Sequence, residues 1–329
     1  MQDFRAFRVH LVDGRSEARL ERLRLDELSP GDVVIRAAWS SINYKDALAA
    51  TGAGKILRRS PLVIGVDVAG TVEASEDPRF VPGDAVVVVG CGLSETHDGG
   101  FSEFVRLPGD FLNPLPAGLG LREAMAIGTA GFTAAYALHR MEQNEQSPAL
   151  GPIAVTGASG GVGSLAIDIF SRRGYEVHAL THKTGADDYL RGLGAHEVRH
   201  LEVDKLGTRP LERAIWGGAV DNLGGSVLAW LTRSVVPLGN IASIGLAADP
   251  GLETTVMPFI LRGVSLLGIN SRDVPRDTRL AVWQRLGGDL RPARLERIVT
   301  REVALDELPG CFDAYIAGTM TGRTLVRLG

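Results

Sequence analysis

Cysteine is nearly absent from this chain: Cys91 and Cys311 are the only two in 329 residues. That scarcity excludes a disulfide framework, and also a four-cysteine zinc or iron–sulfur centre built from one copy of the chain. A reducing compartment is the simplest expectation. Long apolar runs are missing too. No stretch approaches the roughly 18 apolar residues that cross a bilayer, and MQDFRAFRVHLVDGRSEARL at the start carries charges throughout instead of a signal-peptide core. A cytoplasmic location with no membrane partner is therefore expected. Nor is there an excess of positive charge. The 35 basic and 39 acidic side chains leave a formal net charge of -4, which offers no general field to nucleic acid or an anionic membrane.

What is present fits a soluble globular protein: 45% hydrophobic and 22% charged residues. At roughly 100–200 residues per domain, the length suggests two domains. The 41 glycines exceed the average of roughly 7% and lie between apolar runs, so they serve tight turns or close backbone approaches.

The two halves differ in rhythm. Up to about residue 120, short β-like runs (32–39, 68–74, 85–90 and 101–107) alternate with turn signals such as Pro82-Gly83-Asp84 and Gly99-Gly100. This spacing predicts an irregular all-β unit with small helical insertions. After Leu121 the pattern becomes helical and then alternates between strand and helix: 153–157, 162–174, 175–181, 219–223, 226–235 and 241–245. Such alternation marks parallel βαβ units. In the first helix Val162, Leu165, Ala166, Ile169 and Phe170 share one face, and Gly174 is placed to end it. The tail returns to short strands, REVAL and TLVRL, able to rejoin the first domain.

Between the strand 153–157 and that helix stands Ala158-Ser159-Gly160-Gly161-Val162-Gly163, a dinucleotide fingerprint in strand–turn–helix context, with Ala in place of its first glycine. Such a turn must be free of side chains so that a pyrophosphate reaches the helix's free N–H groups. A site preferring NAD ends its second strand in Asp or Glu, to hold the ribose 2′-hydroxyl. Here the strand ends Thr181-His182-Lys183, with no carboxylate before Asp187. A hydroxyl and a cation suit a 2′-phosphate, so NADPH is the expected cofactor.

At this point the chain resembles a medium-chain dehydrogenase/reductase. PLVIGVDVAGTV (61–72), PGDAVVV (82–88) and GGFSEFV (99–105) are similar to the family's GroES-like catalytic domain. SSINYKDAL (40–48), SEDPRF (75–80), GTAGFTA (128–134), TGASGGVGS (156–164), TTVMPFILR (254–262) and GRTLV (322–326) are similar to its zinc-free quinone oxidoreductase branch, and within that to NADPH-dependent acrylyl-CoA reductases. The resemblance implies an α/β protein with two parts. A GroES-like β-rich catalytic domain takes in 1–123 and 272–329, and a Rossmann domain with a doubly wound parallel sheet takes in 124–271.

Zinc-dependent members hold their catalytic metal with a Cys where this chain has Asn43 and a His where it has Val66. Asn is a poor zinc ligand and Val is none, so no metal is expected and no Lewis acid polarises a carbonyl. Alcohol oxidation gives way to reduction of an acceptor that is already electron-poor. The resemblance implies reduction of the C=C bond of acrylyl-CoA to propanoyl-CoA. A quinone, or another small α,β-unsaturated carbonyl, is the alternative acceptor. An NADPH-binding regulatory or RNA-binding protein is the non-enzyme alternative, against which the absence of a basic run argues.

Tyr44 is the first candidate for the acid or orienting group and for a cofactor contact, set against core packing. Asn43, as donor, and Lys45, as charge, are further catalytic candidates. Asp46 pairs with Lys45 or caps the helical turn that follows. Cofactor contacts are expected from Ser159, Gly160, Gly161, Val162, Gly163, Thr181, His182 and Lys183, and by resemblance from Leu246, Ile260 and Ser271. For Ile260, ordinary core packing is the competing reading. Arg323 reads as a structural arginine anchoring the tail, with a role in the site as the competing reading. The apolar run VSLLGIN (264–270) implies, by resemblance, an edge strand that pairs with its mate in a homodimer, with an internal strand as the competing reading.

Overall fold

The computed structural model describes residues 3–329. The chain divides into two compact units. One takes in the chain up to Phe132 together with Ser271–Gly287 and Val299–Gly329, and the other Thr133–Asn270 and Gly288–Ile298.

In the first unit, strands run across a seven-stranded sheet in the order Val299–Ala304, Arg323–Arg327, Val33–Ser41, Asp67–Ser75, Ala85–Val89 and Asn113–Pro114. Phe104–Leu107 also pairs with Val33–Ser41. A separate three-stranded sheet joins Arg15–Leu23, Phe4–Val12 and Leu62–Val63. Period-two alternation turns Val33, Ile35 and Ala37 inward, where they meet Val68, Val86, Val88 and Phe101. Both tail strands join this sheet: Arg323–Arg327 pairs in parallel with Val299–Ala304 and antiparallel with Val33–Ser41. One short helix, Tyr44–Thr51, follows the strand Val33–Ser41 directly.

The second unit holds a six-stranded sheet in which every pairing is parallel. Its order is Glu197–His200, Val177–Thr181, Ile153–Val155, Trp216–Asp221, Val235–Ser243 and Ser265–Gly268. Numbered in chain order this is 3-2-1-4-5-6, the doubly wound Rossmann arrangement, whose ligand crevice lies where strands 1 and 4 part. Ser265–Gly268 is an edge strand bonded on one side to Val235–Ser243, so the internal-strand reading is excluded.

The helix Gly161–Arg172 buries Leu165, Ala166, Ile169 and Phe170 as its periodicity predicts, while Val162 at the rim of that face is only half-buried. The helix is covered on a second side as well. Asp168 is fully buried and accepts 2.9 Å from the Arg294 backbone N–H and 2.7 Å from its guanidinium. That anchor ties the segment Gly288–Ile298 to the second unit, a difference from the sequence reading that kept 272–329 whole.

Candidate functional site

The glycine turn lies at the switch point of the parallel sheet. Thr156, just past strand 1, donates its hydroxyl 2.8 Å to Asp221 at the end of strand 4. Asn222 donates its side-chain amide 2.7 Å to the Thr156 carbonyl. Asp221 also accepts 2.8 Å from the Gly224 N–H. Burial holds its carboxyl above the ordinary range, against the pull of the Gly224 and Thr156 bonds. These clamps fix the two strand ends between which a pyrophosphate would enter.

Ser159 is buried in the turn, Gly160 is the N-cap, and Gly161 and half-buried Val162 open the helix. A Cβ on Gly163 would fall 2.5 Å from the Gly157 carbonyl oxygen and 2.7 Å from the Ala158 Cα. Only glycine lets helix and turn approach this closely, which is the fingerprint's third-glycine role. The turn thus has the bare backbone and helix N-terminus that a dinucleotide's pyrophosphate needs.

Thr181 is buried at the end of strand 2 and its hydroxyl accepts 3.1 Å from the Lys183 N–H. His182 is exposed, Lys183 is half-buried, and burial lowers the pKa of its ammonium. The next carboxylate, Asp187, faces His200 at 3.0 Å. Leu246 and Ile260 stand 62% and 72% exposed, which corrects the core-packing alternative for Ile260.

In the first unit, Asn43, Lys45, Val66, Thr129 and Ser271 line one small cleft, together with Glu95 and Arg272. Tyr44 begins the helix Tyr44–Thr51 and is 42% exposed, so it is not a core aromatic. Asp46, fully buried, braces this segment. One carboxylate oxygen accepts 2.9 Å from the Asn43 N–H at the helix N-cap, the other 3.0 Å from the Val66 N–H. Burial, with the nearby Asp67 charge, pushes its pKa up to about 7 against the bonds from Asn43 and Val66. The pairing of Asp46 with Lys45 is corrected: the Lys45 ammonium contacts Glu95 instead, and Asp46 takes the capping role.

Behind Asn43 lies a buried ionic cluster. Asp67 is fully buried and Arg323 2% exposed, 3.3 Å apart. Asp67 also accepts from the Ser41 hydroxyl, from the Asn43 amide at 2.8 Å, and from both the hydroxyl and, at 2.9 Å, the N–H of Thr129. Arg323 donates 2.9 Å to the Asn43 side-chain oxygen, 3.2 Å to the Ile42 carbonyl, and to the Ser41 hydroxyl. Both ends of the Asn43 amide are thereby engaged, so Asn43 is oriented from behind rather than presented as a free donor. Arg323 does more than anchor the tail strand.

Gly128 completes the enclosure. It breaks the helix Leu121–Gln143 at φ 50°, ψ -160°, and a Cβ there would collide with Arg323 and Asp67. The donor set does not fit zinc. Asn43 is spent on Asp67 and Arg323, Val66 offers no ligand atom, and among the described residues no three His, Cys, Asp or Glu are grouped to hold a metal ion.

Sequence reasoning passed over Asp67, Thr129, Glu95, Arg272, Thr156 and Asp221. A signal existed for the first: Asp67 is the one charged residue in PLVIGVDVAGTV, and a lone carboxylate in an apolar run has to find a buried partner.

A β-rich unit, a doubly wound parallel sheet and a glycine turn at its switch point define a two-part nucleotide-dependent dehydrogenase. Residues 29–117 match the alcohol dehydrogenase GroES-like domain. Over 310 residues the chain is 47% identical to the putative quinone oxidoreductase YhfP of Bacillus subtilis, covering 94% of each. Over 317 residues it is 45% identical to the probable acrylyl-CoA reductase AcuI of Escherichia coli, covering 96% of this chain and 97% of that one. Among solved structures, the yhdH oxidoreductase of Salmonella enterica in complex with NADP superimposes at a TM-score of 0.95 and 44% identity, over 99% of this chain and all of that one. The Bacillus subtilis yhfP protein, solved with NAD bound, superimposes at 0.96 and 44% identity over the full length of both. The chain belongs to the medium-chain dehydrogenase/reductase family, among the quinone oxidoreductases and acrylyl-CoA reductases.

Proposed function

We propose that this protein reduces the C=C bond of acrylyl-CoA with NADPH, without a metal. The observation that carries the reading is near-full-length identity of 45% to a probable acrylyl-CoA reductase, in a chain whose second cofactor-unit strand ends Thr181-His182-Lys183 with no carboxylate. In the overall reaction, acrylyl-CoA, NADPH and a proton give propanoyl-CoA and NADP+.

The residues that would hold the dinucleotide are the 159–163 turn for the pyrophosphate, Thr181, His182 and Lys183 for the 2′-phosphate, and Tyr44, Leu246, Ile260 and Ser271 around the nicotinamide. When bound, the dinucleotide supplies the hydride that enters the acceptor's β-carbon. The chain's own residues align the acceptor and meet the negative charge that grows on its thioester oxygen. The α-carbon then takes a proton, for which the exposed Tyr44 phenol is the candidate donor. Asn43, pinned by Asp67 and Arg323, and Lys45 shape the wall beside it.

A quinone is the second acceptor, favoured by the 47% identity to a putative quinone oxidoreductase. We further infer a cytoplasmic homodimer. The open edge of Ser265–Gly268 and the exposed apolar Val256 and Leu261 support this assembly. The deciding experiment follows NADPH oxidation with acrylyl-CoA, crotonyl-CoA and benzoquinone in parallel. Acrylyl-CoA should give the highest kcat/KM. Strong quinone turnover with negligible acrylyl-CoA turnover would replace the first reading by the second.

A further inference from the structure

Glu95 is buried to 8% exposure, yet its two carboxylate oxygens face two different cations in the cleft of the first unit. Lys45 contacts Oε1, and Arg272 Nε lies 3.0 Å from Oε2. The loop carrying Glu95 is shaped for this. Cys91 and Ser94 adopt φ of 51° and 67°, in the left-handed region that side chains other than glycine rarely enter. The Glu95 backbone is fixed at both ends, its N–H donating 3.1 Å to the Gly92 carbonyl and its own carbonyl accepting 2.8 Å from the Arg58 N–H. A strained loop held this firmly is consistent with a placed side chain.

Two cations here face two carboxylates, Glu95 and Asp273, and both cationic side chains line the cleft. Asp273, more exposed than Glu95, accepts 2.6 Å from the Arg272 guanidinium. Burial lowers the Lys45 pKa, the charges of Arg272 and Arg58 press the same way, and Asp46 and Asp273 oppose them. The Lys45 and Arg272 side chains are each 35% exposed, and both line the cleft.

We propose that Glu95 is a positioning residue that sets Lys45 and Arg272 side by side as a cationic wall, and that this wall recognises the oxygen on which negative charge develops in the acceptor. This rests on the reductase reading above and adds to it a group that pays no reorganisation cost when the charge appears. The wall suits a thioester or quinone oxygen equally, because both become anionic on receiving hydride.

The test uses Glu95→Gln and Glu95→Asp in the full chain. Glu95→Gln is expected to lower kcat by about 10- to 100-fold with the acceptor KM changed less than threefold and NADPH affinity, followed by nicotinamide fluorescence, unchanged. Glu95→Asp should recover part of the loss. A second measurement needs no turnover: Lys45 acetylation by acetic anhydride in cofactor-free protein, read by peptide mass spectrometry, should speed up in Glu95→Gln because the ammonium is released. Unchanged labelling refutes the shared carboxylate. Faster labelling with kcat within twofold of wild type refutes the recognition role. Should Glu95→Gln fail to fold, Lys45→Met takes the same kcat measurement, and wild-type kcat there overturns the proposal. If the wild-type protein reduces no conjugated acceptor, the reductase reading fails and the recognition role with it, while the labelling result still decides the geometry.

Discussion

Replacing Arg323 by Met is the sharpest test of how the first unit is held together. The substitution keeps much of the side-chain volume and removes the cation that faces fully buried Asp67 at 3.3 Å. Removing one partner of a buried pair costs about 3–5 kcal/mol, because the remaining charge has no counter-charge. Asp67 would keep its bonds from Ser41, Asn43 and Thr129, so the loss falls mainly on the charge, which favours the lower figure. Ile42 and Asn43 would each lose a donor, adding about 1 kcal/mol apiece. The sum, about 5 kcal/mol, is a large part of the roughly 5–15 kcal/mol that stabilises a folded domain. At about 2–4 °C per kcal/mol for a domain of this size, thermal unfolding of the first unit should fall by roughly 10–20 °C.

The assay is scanning calorimetry on Arg323→Met, Asp67→Asn and the double variant. The double variant should lie well above the sum of the single losses, since it leaves no orphaned charge. Arg323→Lys should rescue little, because one ammonium cannot bond Ser41, Ile42 and Asn43 at once. A shift under 2 °C in Arg323→Met, or additivity in the cycle, would refute the reasoning.

Two further outcomes follow from the same geometry. Lys183→Glu places a carboxylate where a 2′-phosphate is expected, so the NADPH-to-NADH ratio of kcat/KM should fall at least tenfold; an unchanged ratio means that Lys183 does not meet the phosphate. Asp46, with its folded value near 7 against 3.8, keeps a proton in the folded state that the unfolded chain has released. The folded state therefore binds more protons between about pH 4 and 7, and stability falls as pH rises through that window by up to about 1.4 kcal/mol per unit. Urea midpoints measured at pH 5 and 7.5 should show that slope flattened in Asp46→Asn, and parallel slopes would count against it.

The fold was readable where local physics decides it. The helix Gly161–Arg172 announces itself by its apolar face, and the glycine turn by its place between that helix and a buried strand. Even the tail strands TLVRL and REVAL showed their β character, though not their register against Val33–Ser41. The site was readable only in part. The bridge from Arg323 to Asp67 spans 256 positions, and no local pattern specifies which of 39 carboxylates a buried arginine will find. Lys45 was visible as a charge, but its partner Glu95 sits among loop residues whose unusual backbone is set by tertiary bonds. Asn43 and Val66 could be compared with the metal-binding positions of relatives because position alone was in question. What Asn43 does in its place needed coordinates.

The pairing of Arg323–Arg327 with Val33–Ser41 also orders events at the ribosome. Translation supplies the residues of the second unit before the last strand of the first, so the earlier sheet waits with one flank open while the parallel sheet can already close. Asp67 is made long before its arginine, and until residue 323 emerges it is a carboxylate without a counter-ion at the centre of the nascent first unit. The unit whose synthesis begins first therefore cannot complete its sheet until the residues of the second unit have all been made.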